Sequence, residues 1–278
     1  MKSLKTPAAA DLPPATLSEQ DGVRYLHLGT PWVQGAMRIA RPQRIELDYV
    51  QRMLASLLWR PTDALGEGHA VQLGLGAGAL TRFTLQALLM PTTVVEINPH
   101  VLVACHTWFR LPRDGALLQV ELADAGAWLA GPAAGALHGR TSLLHVDLYD
   151  HEAAAPVLDD ADFYAACRRL LMPGGVMAVN LFGRHASFEQ SLQRIVQAFG
   201  SDQVWHLRAT REGNTVVVAG LAVQVPGREE LKSRASALEQ RFFRQGLPAT
   251  QWLRMVRPYR PPEGLADADA RIPPATPA

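Results

Sequence analysis

Between Val71 and Gly220, short apolar runs alternate with longer stretches of helical period. The runs VQLGL from Val71, TTVVE from Thr92, LLQVEL from Leu117, SLLHVDL from Ser142, VMAVNL from Val176, QVWHLRAT from Gln203 and TVVVAG from Thr215 read as strands. Most are apolar almost throughout, which is expected of strands covered on both faces. Helices fit between them near 79–89, 99–109, 124–130, 160–171 and 187–199. This alternation predicts an α/β fold built on a parallel sheet of seven strands with helices on both sides. Only REGN separates the last two strands, which makes that pair an antiparallel hairpin.

Upstream, VRYLHL from Val23 and VQGAMRI ending at Ile39 flank a Gly-Thr-Pro turn and read as a small β-hairpin. Leu47, Val50, Met53, Leu54, Leu57 and Leu58 then recur at helical spacing. The ends are rich in Pro, Ala and Asp without apolar period. The expected organisation is a disordered tail over 1–20, a hairpin plus helix over 21–60, a catalytic-sized α/β domain over 61–225, a helical segment over 226–259 and a second tail over 260–278. Within the helical segment, Leu231, Leu238, Phe242 and Phe243 interrupt a charged stretch, as in an amphipathic helix against the sheet or a partner subunit.

Composition narrows the partners. The chain has 278 residues, and its 27 Lys and Arg against 26 Asp and Glu give a net charge of +1. That balance lacks the basic excess of a nucleic-acid binder, so no nucleic acid is expected. Cys105 and Cys167 stand far from other cysteines or metal-spaced histidines, which suits a reducing compartment and no metal. With no signal-like apolar core and no run near 18 apolar residues, we expect a cytoplasmic protein that does not enter the membrane.

The chemistry gathers at strand ends. The first strand runs into LGLGAGAL, whose Gly74, Gly76 and Gly78 open a turn where backbone meets a ligand and a helix N-terminus, or where helix and strand simply pack closely. Glu96 ends the second strand, 22 residues beyond Gly74, the spacing of a carboxylate that accepts ribose hydroxyls. Asp124 after the third strand could accept from an adenine amine, and the LLMPGG turn precedes a later strand. Together these follow the order of parts in transferases that use S-adenosylmethionine (AdoMet). The fourth strand ends in HVDLYDHE, with Asp147 and, three residues on, Asp150. Asp150 could equally cap a helix, whereas Asp147 interrupts a buried strand at the edge where a cofactor would react. Two such acids can converge on a cationic amine, one taking its proton and the other holding its far end. His145 reads as a core histidine, His151 as a possible substrate contact, and Trp32 as a wall of the site or hairpin packing.

On VQGAMR, ELDY, LGLGAG, VVEINP, ADAGAWL, DLYD and ADFYAACRRLLMPGG, the chain resembles the polyamine aminopropyltransferases, the spermidine synthases, over roughly residues 23–220. The resemblance implies a small N-terminal β-domain, a Rossmann-like AdoMet-type domain and a homodimer. It further implies decarboxylated AdoMet as co-substrate, with a small diamine such as putrescine as acceptor. It places Gln34 and the glycine turn at the sulfonium, Glu96 on the ribose, and Asp124 with Ala125 at the adenine. Asp147 becomes the proton acceptor, with Asp150 and Tyr49 aligning the amine. The chain departs from the family pattern at Ala77, where an acid is usual, at Val50 in place of histidine, in the stretch after Asp150, and at Asn180 in place of glutamine. Ala77 supports a second reading, an AdoMet-dependent methyltransferase; a third is a nucleoside-binding module without turnover.

Overall fold

The computed structural model describes residues 12–148, 158–182 and 185–261. Three strands, β1 (Ala15–Gln20), β2 (Val23–Leu28) and β3 (Gly35–Arg38), form a separate antiparallel sheet. The β2–β3 pair is the expected hairpin, but β1 corrects the expected tail, which stops before Ala15. Two features account for it. Asp21 and Gly22 both take positive φ (51° and 74°), as a tight two-residue hairpin turn requires. Ala15 and Leu17 then pack onto the core while Thr16 and Ser18 face out, so one strand face carries too few apolar positions to show a period.

The chain continues through α1 (Asp48–Met53) and a tight 3-10 turn over Leu54–Trp59 into the large sheet. Its parallel strands are β4 (His69–Leu73), β5 (Thr92–Glu96), β6 (Leu118–Leu122), β7 (Thr141–Val146) and β8 (Leu171–Phe182). The antiparallel β9 (Val204–Leu207) and β10 (Asn214–Gly220) follow, as REGN predicts. An eighth strand, β11 (Val256–Pro258), pairs antiparallel with β9 within the stretch expected to be helical. Three residues ending in proline carry no periodic signal and are tolerated at a sheet edge. The order is β11-β9-β10-β8-β7-β4-β5-β6.

Both faces of this sheet are covered. Leu143, Ala178 and Val216 pack with the 3-10 turn and the C-terminal helices, while Leu144, Val179 and Val217 pack on the other side. Every residue of β7 is buried, the polar Thr141, Ser142 and His145 included, as expected of a central strand covered on both faces. On the flanks lie α2 (Ala79–Gln86), α3 (Pro99–Trp108), α4 (Ala125–Leu129), α5 (Pro132–Gly135), α6 (Ala161–Leu170) and α7 (His185–Phe199). The chain later forms α8 (Arg228–Arg241) and α9 (Ala249–Trp252), whose Leu238 and Trp252 join the first core. The chain leaves β4 for β5 and β6 on one side and returns to β7 on the other. That reversal opens a crevice at the carboxyl ends of β4 and β7, where open α/β sheets bind ligands.

Candidate active site

The crevice is organised by the turn after β4. Gly74 has φ +88°, and a Cβ there would stand 2.2 Å from the Asp147 carbonyl oxygen, so only glycine lets the β4 and β7 ends come this close. Buried side chains hold the turn from behind. Gln72 Nε2 donates to the Gly74 carbonyl (2.7 Å), Cys105 Sγ to that of Gly76 (3.1 Å), and Arg82 Nη1 to that of Ala77 (2.6 Å). Arg82 also reaches the Phe109 carbonyl (2.8 Å), and burial lowers its pKa to about 10. Gly76 lines the crevice, whereas Gly78 turns away as the N-cap of α2, facing Arg82 and Leu111.

In front of the turn lies a cavity of about 770 Å³. Gln34, Gly74, Gly76, Glu96, Asp124, Ala125, Tyr49 and Asp147 all line it, so strand ends far apart in sequence meet in one space. Asp150 lies outside the described residues. Glu96 is buried, and its two oxygens accept backbone N–H groups of Leu75 and Asn98, each at 2.8 Å. Burial pushes its pKa up, the nearby Asp147 adds to that, and the backbone donors oppose it. Four of the acceptor positions expected of a carboxylate are not exhausted by two bonds, so hydroxyls can still be bound. Asp124 caps α4 through Oδ1, which accepts from Ala127 N at 2.8 Å. The expected adenine contact therefore shares a side chain with a helix cap. Gln34 Nε2 is buried with no hydrogen-bond partner among the described residues, a donor available to a ligand.

Asp147 stands just past β7. Its Oδ1 accepts from Asn180 Nδ2 of β8 (2.9 Å), and its Oδ2 accepts from the Tyr49 hydroxyl of α1 (3.2 Å). Burial pushes its pKa upward, and these two donors pull the other way. Asn180 Oδ1 in turn accepts from Asn214 Nδ2 of β10 (3.1 Å). Asn214 was not picked out from the sequence; no period or motif marks a residue that reaches the site only through the antiparallel pairing of β8 and β10. The buried supports Gln72 of β4 and Arg82 of α2 carry no motif either, since a polar residue within a strand or helix gives no sign of the carbonyl it holds.

Six acids, Glu46, Asp48, Glu96, Asp124, Asp147 and Glu212, line the cavity, with no Lys, Arg or His among its described lining residues. Glu46 pairs with Arg38 and Arg44, and Asp48 with Arg52. The other four have no ion-pair partner among the described residues. Such a lining suits a cationic ligand and repels a polyanion. No helix among the described residues is long and apolar enough to cross a membrane.

No protein-family model matches the chain. It is 30% identical over 238 residues to the polyamine aminopropyltransferase of Chromobacterium violaceum, spanning 85% of this chain and 87% of that protein. Among solved structures, a probable spermidine synthase from Corynebacterium glutamicum superposes with a TM-score of 0.65 at 19% identity, covering 86% of this chain and 88% of the other. Human methyltransferase-like protein 13, solved in complex with SAH, gives 0.63 at 22% identity over 80% of this chain and 99% of that one. The two structures establish a fold shared by spermidine synthases and methyltransferases. The likeness to the bacterial enzyme, running through nearly the whole of both chains and joined to the acid-lined crevice, makes this chain a member of the polyamine aminopropyltransferase family and a transferase.

Proposed function

We propose that the protein transfers the aminopropyl group of decarboxylated AdoMet to a small diamine such as putrescine. The observation that carries this reading is the cavity whose charged lining is wholly acidic among the described residues, with Asp147 held there by the neutral donors Asn180 and Tyr49. Glu96 takes the ribose hydroxyls, Asp124 and Ala125 the adenine, and Gln34 with the glycine turn the region of the sulfonium. The attacking amine nitrogen bonds to the methylene carbon beside the sulfonium as the carbon–sulfur bond breaks. The bonding pair leaves on sulfur, giving a neutral thioether, and the amine proton passes to Asp147. An alkylamine has a pKa near 10.4, so presenting it neutral at pH 7 costs roughly 4.6 kcal/mol. A carboxylate poised at the attacking nitrogen offsets part of that cost, and a pKa raised by burial makes it a better base. Tyr49 and Asp150 align the amine. The enzyme works as a cytoplasmic homodimer in this reading.

Incubation with putrescine and decarboxylated AdoMet, read by mass spectrometry, should yield spermidine and methylthioadenosine. Absence of turnover with every common diamine would overturn the proposal. Ala77, in the glycine turn where the family resemblance leads one to expect an acid, favours methyl transfer from intact AdoMet as the second reading. Calorimetry with both donors separates the two: the aminopropyl reading requires the decarboxylated form to bind more tightly.

A further inference from the structure

We propose that Asn214 is a positioning residue for Asp147, acting through Asn180 to decide which end of the Asn180 amide faces the carboxylate. The inference rests on Asp147 as the proton acceptor of the proposed reaction. Asn180 lies between Asp147 and Asn214. Its Nδ2 points at Asp147 Oδ1 (2.9 Å), and its Oδ1 receives Asn214 Nδ2 (3.1 Å). An amide can be turned end for end with little change of shape, so shape alone does not choose between the two orientations. Polarity does. Reversing Asn180 would set its oxygen against a carboxylate oxygen and its NH2 against the NH2 of Asn214.

Asn214 is itself anchored. Its backbone N–H donates to Thr210 Oγ1 (3.2 Å), its carbonyl accepts from Thr210 N–H (2.8 Å), and the Thr210 hydroxyl lies 3.5 Å from Asn214 Oδ1. Thr210 is buried, so the hydroxyl that donates to the Asn214 oxygen is shielded from solvent. The Asn214 oxygen is thereby turned to the 210–214 turn and its NH2 to Asn180. The polarity set there runs along two amides to the carboxylate and leaves Asn180 as a donor. A donor favours the ionised acid, the form that can accept a proton from the amine. Remove the Asn214 donor and Asn180 can present its oxygen instead, an arrangement that suits protonated Asp147.

The groups that share the cavity with Asp147 are Tyr49, Glu46 and Asp48 from α1 and the residues before it, Glu96 from the end of β5, Asp124 from the cap of α4 and Glu212 from the turn before β10. His145, two residues back on β7, is buried and held neutral, its pKa lowered to about 3. Because the neighbours are mostly acids, the Asp147 limb of any pH profile must be assigned by its disappearance in Asp147→Asn.

The test uses Asn214→Leu, close in size but unable to donate, and Asn214→Ser, which keeps a short donor. The acid limb of the kcat/KM profile should rise by about one pH unit in Asn214→Leu and by about half that in Asn214→Ser. At a pH below the wild-type midpoint this is about a tenfold loss in Asn214→Leu, and the alkaline plateau should match the wild type. An equal loss at every pH would make Asn214 a packing residue and overturn the inference. Carbon-13 NMR of aspartate-labelled protein reads the same midpoint without turnover, the Asp147 carboxyl signal being the one lost in Asp147→Asn. A midpoint that stays put in both Asn214 variants overturns the relay. A wild-type enzyme that turns over no diamine sinks the proposed reaction, while the titration still decides the role of Asn214. Should Asn214→Leu fail to fold, Asn214→Ser alone carries the measurement.

Discussion

Two populations of carboxylates divide this molecule. Outside the floor of the crevice, one set of acids is matched to cations: Glu46 with Arg38 and Arg44, Asp48 with Arg52, Asp159 with Arg194, Glu229 with Lys232 and Glu230 with Arg234. Within it, Glu96 and Asp147 are held by N–H and O–H donors that carry no charge. Neutral donors orient a carboxylate without cancelling it. A paired acid is complete in the free protein, whereas an acid held only by neutral groups in a partly desolvated place is completed by a cation from outside. What sets Glu96 and Asp147 apart is neutral donors together with a place in the cavity floor, since Asp114 and Asp160 also accept only from backbone N–H groups but stand exposed to water.

The largest effect that would sharpen this contrast is on turnover. Asp147→Asn keeps the shape and removes the base, and kcat/KM should fall by about 100- to 10,000-fold in a steady-state assay. Retained activity within a few-fold would dissolve the distinction. Next comes the nucleoside end. Glu96→Gln places an NH2 against the backbone donors Leu75 N or Asn98 N. Calorimetry should show donor affinity weakened by roughly 10- to 100-fold, the range expected for hydrogen bonds to a charged group, with an earlier melt.

A smaller effect has a definite sign in pH. Asp147 has a folded pKa above its ordinary value because burial penalises the charge. Ionising it therefore costs stability. That cost is absent below the ordinary carboxylate pKa and develops as pH rises through the folded value. Asp147→Asn should accordingly melt higher than the wild type at pH 8, with the gap closing as the pH falls into the acid range. A gap that widens on acidification would reverse the argument. Smallest of all is the paired population. Glu229→Gln breaks an exposed ion pair on α8 and should leave both the melting curve and kcat/KM as they are.

How much of this could be read from the sequence depends on the range of the interaction. Glu96 and Asp147 were found because each ends an apolar run, and a strand end is a local signal. The glycine turn was legible for the same reason, although Gly78 serves the helix rather than the cavity. The long-range partners left no local sign: Tyr49 and Asn180 were reached only through the family motif, and Asn214 was not reached at all. Asn214 meets Asn180 across 34 positions, and Tyr49 meets Asp147 across 98. Neither separation leaves a period. Strands β1 and β11 escaped because a polar strand with two inward residues and a three-residue edge strand have no pattern to show. The Asp21-Gly22 dipeptide was the one local clue to β1, and it lay in plain view.

The acid lining also bears on the order of events in a catalytic cycle. On the proposed reaction, the acceptor enters with two ammonium groups and leaves as a triamine with three, while the nucleoside loses its sulfonium charge. The walls that draw the acceptor in therefore hold the product more firmly than they held the substrate, and the spent nucleoside less firmly than its precursor. Departure is then asymmetric, with the thioether leaving first. Escape of the polyamine sets the pace when few ions are present to screen the field, and added salt hastens release while slowing capture.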